Sequence, residues 1–332
     1  MLRVAIGLAF RSFSTCSRHS TKVSVLGAGG GIGQPLSLLI CSNPLLSNLA
    51  LYDVKDTRGI ACDLSHINTN SRVSLCYSGS EELEECLKDS EIVVIPAGLP
   101  RKPGMTRDDL FNTNAEIVQS LAKACAKYCP TAKVAVITNP VNSTVPIVAE
   151  VFESAGVYDP RKIFGVCTLD TVRAKKFVAD LKGVNATTLH VPVIGGHSGI
   201  TILPLLSQIT PKLSLSSEEI CSLTERIQNA GTEVVNAKAG GGSATLSMAY
   251  AGALFTDALL RAGKGDPVVE CAYVESNITE VKFFSSSLLL GPEGVTEHLG
   301  FGTLSAYEED KLRALLPELD RNITKGLQFG KQ

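Results

Sequence analysis

The feature that most constrains the fold is a run of glycines between an apolar strand pattern and an apolar helix pattern. The strand pattern is KVSVLG, residues 22–27, and the helix pattern is IGQPLSLLI, residues 32–40. Glycines allow a tight turn and a close approach of the backbone to a pyrophosphate, which the N-terminus of the following helix attracts. The segment predicts a dinucleotide-binding unit whose cofactor contacts are Gly27, Ala28, Gly29, Gly30, Gly31, Ile32 and Gly33.

The spacing of these glycines is unusual. Gly27, Gly30 and Gly33 follow one another at intervals of three, whereas the commoner G-x-G-x-x-G would place its third glycine at Ile32. The physical requirements of the turn are the same in both spacings, and strand, loop and helix occur in the order that the motif needs.

An acidic residue follows the second strand pattern. Asp53 lies at the end of LALYDV, 20 residues after Gly33, where a dinucleotide-binding fold places the carboxylate that binds the ribose hydroxyls. A carboxylate there would repel the additional phosphate of NADP, so the expected cofactor is NAD. The alternative is a turn-forming Asp after a strand.

Short β-prone runs alternate with helical patterns in the first part of the chain. The runs are residues 22–27, 49–54, 72–77, 91–98 and 133–140, and residues 108–128 read as a helix between the last two. This alternation predicts an α/β fold with an N-terminal Rossmann domain, a doubly wound parallel sheet, over residues 21–142.

The pattern changes after residue 142 and predicts a C-terminal mixed α+β substrate domain over residues 143–332. Helices are expected at residues 143–154, from the capping box Ser216–Glu219, and after the glycines at 240–242. The runs TTLHVPVIGG and GITILPL are expected to be extended. Leucines near the end mark an amphipathic helix that Pro317 is expected to kink.

The first 20 residues have a different composition from the rest. They contain Arg3, Arg11 and Arg18 with several hydroxyl residues and no Asp or Glu, as in a mitochondrial transit peptide. A secretory signal is the competing interpretation, but its apolar run would be short and followed directly by Arg11. The sequence therefore predicts a location in the mitochondrial matrix.

Charge and cysteine content argue against several classes of function. The formal net charge is −2 and no long run of Lys or Arg occurs, so no nucleic-acid partner is expected. No apolar stretch suits a membrane span. The ten cysteines include no C-x-x-C pair and no zinc-like cluster with His, so we expect no metal and mostly buried thiols.

Three further segments carry candidate catalytic groups. RKPGMTR, residues 101–107, has two arginines around a Pro-Gly pair, and an arginine matches the geometry of a carboxylate or a phosphate. His197 lies between glycines after an apolar run, and Asp170 and Arg173 share one face of a predicted helix. Taken singly, these could be a solvated loop, a structural His and an intrahelical ion pair.

Taken together, the motifs resemble mitochondrial malate dehydrogenases of the lactate/malate dehydrogenase superfamily. The resemblance runs from Lys22 to about residue 330 and rests on GAGGGIGQPL, YDV, DLSHI, AGLPRKPGMTRDDLFNTNA, TNPVNST, GVCTLDTVRA and IGGHSG. It implies NAD-dependent interconversion of malate and oxaloacetate, and a homodimer in which residues 63–67 lie at the subunit contact.

The resemblance also implies roles for individual residues. His197 and Asp170 would form the proton-transfer pair, and Arg107 would polarise the reacting carbonyl. Arg173 would bind the carboxylate beside that carbonyl, and Arg101 the distal carboxylate, with Pro103 and Gly104 letting the loop close. Asn139 would contact both substrate and cofactor. Further NAD contacts would be Asn114, Ile137, Thr138, Asn139 and Met248.

Three alternatives remain at this point. A lactate dehydrogenase shares the His, Asp and Arg set, but a monocarboxylate enzyme would not need a cation at position 101. A catalytically silent NAD-binding paralogue would be expected to lack one of His197, Asp170, Arg107 or Arg173, and all four are present. A Rossmann-like methyltransferase would leave the arginine loop unexplained.

Overall fold

The computed structural model describes residues 21–74, 80–99 and 107–332. The predicted transit peptide, Arg101, Pro103 and Gly104 lie outside these ranges. Within them, eleven strands form a single sheet. No described helix is both long enough and apolar enough to cross a membrane.

The first half of the sheet is parallel and has the strand order β3-β2-β1-β4-β5-β6. This is the order of a dinucleotide-binding doubly wound fold, and it confirms the predicted Rossmann sheet. Its strands are β1 (Lys22–Leu26), β2 (Asn48–Tyr52), β3 (Arg72–Ser74), β4 (Ile92–Ile95), β5 (Lys133–Val136) and β6 (Ile163–Gly165). The intervening helices are α1 (Gly33–Cys41), α2 (Arg58–Ser65), α3 (Ser80–Leu87), α4 (Arg107–Tyr128) and α5 (Val141–Ser154).

The second half extends this sheet with antiparallel strands, which confirms a mixed C-terminal part. β9 pairs with β6, and β10 then pairs with β9, β7 and β11. The strands are β7 (Val193–Gly195), β8 (Ile202–Pro204), β9 (Val268–Glu275), β10 (Phe283–Gly291) and β11 (Gly294–Gly300). The helices are α6 (Thr168–Lys182), α7 (Ser217–Ala237), α8 (Leu246–Gly263) and α9 (Ala306–Gly330).

The predicted division between residues 142 and 143 stays a prediction. The parallel sheet itself continues beyond that point, because β6 pairs in parallel with β5 after the crossover through α5. α9 continues past Pro317, which lies inside it.

Alternate residues of the parallel strands face two apolar cores. In β4, Val93 and Ile95 pack with the helices α4 and α5, whereas Ile92 and Val94 pack with residues of α1 and α8. This follows from the two-residue period of side chains along a strand. Because α8 comes from the second half of the chain and covers the first half of the sheet, the two halves share a core.

Several predicted extended runs are shorter in the structure. The strand expected at 91–98 ends at Ile95, and the one expected at 133–140 ends at Val136. Pro96 lacks the N–H that a strand ladder needs, so β4 ends directly before it, whereas β5 ends four residues before Pro140. Of the two extended runs expected near His197, only the short strands β7 and β8 form, beside turns at Ala186–Thr188 and Gly199–Thr201.

Candidate active site and cofactor cleft

The glycine loop lies where β1 ends, at the carboxyl edge of the parallel sheet. Gly27 has φ +106°, and a Cβ there would come within 2.6 Å of the Ala97 Cα. A Cβ on Gly33, the first residue of α1, would come within 2.0 Å of the Gly27 carbonyl oxygen. Only glycine permits this close approach between the loop and the helix. The N-terminus of α1 therefore opens onto the crevice where such folds bind a pyrophosphate.

Asp53 follows β2 and holds this loop. Its Oδ2 accepts a hydrogen bond from the Gly29 N–H at 2.9 Å, and its Oδ1 accepts one from the Lys55 N–H at 3.0 Å. The turn-forming role that was the alternative is therefore present in the structure. Because each carboxylate oxygen can accept more than one hydrogen bond, this role leaves acceptor capacity for ribose hydroxyls.

The chain segments that follow β4 and β5 are joined across the same crevice. Asn114 accepts from the Leu99 N–H at 2.8 Å and donates to the Asn139 carbonyl at 2.8 Å. The Thr138 hydroxyl donates to the Ala97 carbonyl at 2.6 Å. Asn114, Thr138 and Asn139 are thus brought together as one wall of the cleft.

Ile137 and Met248 have a different environment from the polar members of the predicted cofactor set. Both side chains are buried in the apolar core that α1 and α8 share. The start of α8 nevertheless lies beside the glycine loop, since a Cβ on Gly31 would come within 3.2 Å of the Thr245 methyl. The two residues therefore form the apolar backing of the cleft.

His197 and Asp170, predicted as a catalytic pair, are in contact. His197 follows β7, Asp170 lies in the first turn of α6, and the distance from Nδ1 to Oδ2 is 2.6 Å. The Asp170 side chain is fully buried and that of His197 is 8% exposed. Since a carboxylate can only accept, Nδ1 carries the hydrogen of this bond.

The environment of His197 favours its charged form. Burial alone would lower the pKa of the imidazole, but the charge and hydrogen bond of Asp170, with a smaller effect from Cys167, raise it to about 10. Burial lowers the pKa of His190 and of His298, so the direction at His197 reflects its specific partner. The imidazole of His197 therefore holds a proton at neutral pH and is slightly exposed.

Arg173 lies one turn after Asp170 on α6. Its guanidinium Nη1 is 4.0 Å from Asp170 Oδ1, an oxygen for which the described residues supply no hydrogen-bond partner. Burial lowers the pKa of Arg173, although a guanidinium remains charged in proteins. Arg107 begins α4, and Arg101 lies outside the described residues.

Two residues near this pair were missed by the sequence interpretation. Asn142 accepts a hydrogen bond from the His197 main-chain N–H at 2.7 Å. It stands in the TNPVNST motif, from which only Asn139 and its neighbours were selected, so the signal was present. Cys167 adjoins the pair in the GVCTLDTVRA motif.

Cys167, Asp170 and His197 bring their ligating atoms within 4.8 Å of one another, as in a metal site. A metal ligand must be a neutral imidazole, whereas the pKa of His197 is raised to about 10. The nitrogen Nδ1 is also already engaged by Asp170. The short approach of His197 to Asp170 within this group is therefore explained by their hydrogen bond.

Comparison with known proteins assigns both halves of the chain to one family. The profile described as lactate/malate dehydrogenase, NAD binding domain, matches residues 21–165. The profile described as lactate/malate dehydrogenase, alpha/beta C-terminal domain, matches residues 167–330.

Individual relatives agree with these matches. A mitochondrial malate dehydrogenase of Homo sapiens is 57% identical over 332 residues, which is 100% of this chain and 98% of the human protein. Malate dehydrogenase of Cryptosporidium parvum superposes with a TM-score of 0.80 at 26% identity, over 93% of this chain and 99% of that one. Lactate dehydrogenase of the same organism, solved with lactic acid and nicotinamide adenine dinucleotide, superposes with a TM-score of 0.78 at 26% identity, over 93% and 98%. This chain belongs to the lactate/malate dehydrogenase family.

Proposed function

We propose that this protein is an NAD-dependent malate dehydrogenase that interconverts malate and oxaloacetate. The observation that carries the proposal is the buried His197–Asp170 pair, which lies with Arg173 beside a dinucleotide-binding crevice. The identity of 57% to human mitochondrial malate dehydrogenase supports the choice of substrate.

His197 exchanges the proton of the reaction. With Nδ1 held by Asp170, the other ring nitrogen is the atom that can serve the substrate. In malate oxidation it takes the hydroxyl proton, while the hydrogen on the same carbon leaves with its electron pair as a hydride. In oxaloacetate reduction His197 returns the proton to the carbonyl oxygen. NAD, when bound, accepts or supplies the hydride.

The arginines bind and polarise the dicarboxylate. By resemblance, Arg173 binds the carboxylate next to the reacting carbon, and its partly buried guanidinium beside Asp170 of the proton-transfer pair supports this role. By resemblance, Arg107 stabilises the charge that develops on the reacting oxygen, and Arg101 binds the distal carboxylate. Asn139 contacts both substrate and cofactor.

The residues of the crevice suit NAD. The glycines from Gly27 to Gly33 let the loop pack closely on the start of α1, which supports a pyrophosphate site there, and we expect Asp53 to bind the ribose. The wall formed by Asn114, Thr138 and Asn139 would face the nicotinamide half, with Ile137 and Met248 behind it. The carboxylate of Asp53 disfavours NADP.

A lactate dehydrogenase-like activity is the alternative, because the fold does not separate the two. The Cryptosporidium parvum malate and lactate dehydrogenases superpose on this chain almost equally well. Arg101 favours a dicarboxylate substrate, since a neutral methyl group would not need a cation opposite it.

Location and assembly follow from the relatives and from the surface. The human relative, which is named as mitochondrial, and the acid-free basic leader support import into the mitochondrial matrix. A reporter fused to residues 1–24 should enter mitochondria, and a diffuse cytosolic signal would contradict this. We also propose a homodimer, because the predicted contact segment at residues 63–67 includes the end of α2, which packs against α1, and because α1 and α8 carry exposed apolar residues.

The test is an assay of NADH oxidation with oxaloacetate and pyruvate in parallel. The parent should prefer oxaloacetate, and His197→Ala should lower kcat by about 10² to 10⁴-fold while NADH binding persists. His190→Ala is the matched control, because this exposed histidine lies in a β-bridge with Thr210 and is not part of the His197–Asp170 pair. A His197→Ala enzyme within a few-fold of the parent, or a parent that prefers pyruvate, would refute the assignment.

A further inference from the structure

Asn142 connects several parts of the chain to the loop that carries His197. It is the second residue of α5, and its side chain is fully buried. Its Oδ1 accepts from the His197 N–H at 2.7 Å, while its Nδ2 donates to Thr201 Oγ1 at 3.1 Å and to Ser198 Oγ at 3.2 Å. A third Nδ2 contact, to Asn322 Oδ1 at 3.3 Å, reaches α9. The carboxamide thus joins three elements.

The orientation of this carboxamide is fixed by chemistry. A main-chain N–H can only donate, so the atom of Asn142 that faces His197 must be the oxygen. The nitrogen then faces three oxygens, which share its two hydrogens. The Asn142 main-chain carbonyl is held in turn, because it accepts from the Tyr273 hydroxyl at 3.2 Å.

Gly196, the residue before His197, packs closely against the Asn142 side chain. A Cβ on Gly196 would lie 2.6 Å from Asn142 Oδ1 and 2.8 Å from Thr201 Oγ1. Both distances are shorter than real Cβ contacts, so the glycine is what lets the carboxamide reach the backbone of the loop. The close fit leaves the loop little freedom to shift relative to α5.

His197 is therefore held at both ends by different helices. Asp170 of α6 binds its ring nitrogen, and Asn142 of α5 binds its main-chain nitrogen. α5 begins at Val141, two residues after Asn139, whose carbonyl accepts a hydrogen bond from Asn114 in the wall of the cofactor cleft. Residues 139–142 therefore contribute both to the wall of the cofactor cleft and to the hydrogen bond that holds the main chain of His197.

We propose that Asn142 is a positioning residue that fixes His197 relative to the hydride-carrying ring of the cofactor. The inference rests on the proposed function, because it needs His197 to be the proton donor. A displacement of about 1 Å at a reacting group can cost roughly 10²-fold in rate. Asn142→Ala removes the anchor and should therefore lower kcat roughly 10²-fold, with little change in NADH affinity.

The informative measurement is the deuterium isotope effect on kcat with NADH labelled at the transferred hydrogen. Misplacing the proton donor slows the chemical step, so this step limits turnover and the isotope effect rises. A merely structural defect lowers the number of active sites instead. Titration with NADH counts those sites, and the isotope effect of the remaining enzyme would equal that of the parent.

Three further variants sharpen the test. Asn142→Asp keeps an oxygen acceptor for the His197 N–H and should recover much of the rate that Asn142→Ala loses. Of the hydrogen bonds of Asn142, Asn322→Ala removes only the one to α9; it also removes the Asn322 hydrogen bonds to Glu318 within α9, and it should leave the isotope effect unchanged. If Asn142→Ala does not fold, the nearly isosteric Thr201→Val, which removes one acceptor of the carboxamide, should give a smaller loss with the same rise in the isotope effect.

The outcomes separate this inference from the proposed function. A parent that does not reduce oxaloacetate, or a fully active His197→Ala, overturns the proposed function. An active parent whose Asn142→Ala variant loses rate only in proportion to its NADH sites, with an unchanged isotope effect, overturns the inference alone.

Discussion

At the scale of single residues, the charge state of His197 depends on two opposed effects. Burial favours the neutral imidazole and Asp170 favours the charged one, and Asp170 prevails, because the pKa rises from 6.5 to about 10. The charged pair consequently stabilises the folded state fully below pH 6.5, and this contribution is lost as the pH rises towards about 10.

Replacing Asp170 should lower the pKa of His197, because the effect of burial would then prevail. In Asp170→Asn the burial of His197 is no longer offset, so its pKa should fall and the proton needed for oxaloacetate reduction should be absent at neutral pH. We expect the decline in kcat/KM for oxaloacetate to move from near pH 10 in the parent to an acidic pH. A pH series of kcat/KM checks this. Asp180→Asn, on the exposed part of the same helix, should leave the profile unchanged, and an unshifted Asp170→Asn profile would contradict the pairing.

Arg101 is the residue that we expect to distinguish dicarboxylate from monocarboxylate substrates. If it pairs with the distal carboxylate, Arg101→Gln leaves that charge without its partner, which typically costs roughly 2 to 5 kcal/mol. At about 1.4 kcal/mol per tenfold, kcat/KM for oxaloacetate should fall roughly 30-fold to several thousand-fold, whereas that for pyruvate should change little. The ratio of the two constants is the observable. An equal loss on both substrates would indicate general damage and refute the role.

The site residues that sequence could identify are those within short motifs. His197, Asp170 and Arg173 each occur in a segment whose residue types imply their chemistry, although no sequence rule showed that the first two touch. The partners of Asn142 could not be foreseen, since His197 is 55 residues away and Asn322 is 180 residues away. An asparagine near the start of a helix has no sequence signature for contacts that only the folded chain creates.

At the scale of elements, the contact between the glycine loop and α1 is the most restrictive. A Cβ on Gly33 would come within 2.0 Å of the Gly27 carbonyl oxygen and 2.7 Å of the Ala28 Cα. Gly33→Ala should therefore push the start of α1 away from the loop and weaken NADH binding by at least tenfold, about 1.4 kcal/mol. Fluorescence titration with NADH measures the loss.

Gly231 provides the matched control for this substitution. It lies in α7, and a Cβ there would have no atom within 4 Å. Gly231→Ala should leave NADH affinity unchanged and should stabilise the helix by up to about 1 kcal/mol. Equal NADH affinities of Gly33→Ala and the parent would show that the loop does not hold the cofactor.

The sequence identified element types better than their ends or their tertiary partners. The capping box Ser216–Glu219 is confirmed at the start of α7. A second capping box, Ser305–Glu308, begins α9 and was not predicted. The Glu308 carboxylate is buried and also accepts hydrogen bonds from the N–H and the hydroxyl of Ser207. Residues 268–300 carried no strand prediction, yet they form β9, β10 and β11. These strands are buried on both sides in places, so they lack a clear polar alternation.

At the scale of the whole molecule, α8 has two different faces. One face packs against α1 and the parallel sheet, where Phe255 and Leu259 are fully buried. On the other face, Leu246, Tyr250 and Leu254 are exposed at intervals of four residues, and Leu38 and Leu39 of the adjoining α1 are exposed as well. Apolar residues grouped in this way indicate a surface that another molecule covers.

A homodimer across this surface is the assembly that the proposal predicts. A twofold contact would place α8 and α1 of one protomer against the same surface of its partner. One substitution to a charged residue would therefore introduce a charge on both sides of the contact. Leu254→Asp should therefore shift the protein from about twice the chain mass to the monomer mass of about 35 kDa in sedimentation equilibrium. Leu181→Asp on α6 is the control, because Leu181 is 47% exposed, compared with 37% for Leu254, and lies outside the α1 and α8 surface. A parent that sediments as a monomer would refute the dimer, and a Leu254→Asp protein that remains dimeric would show that the subunits meet elsewhere.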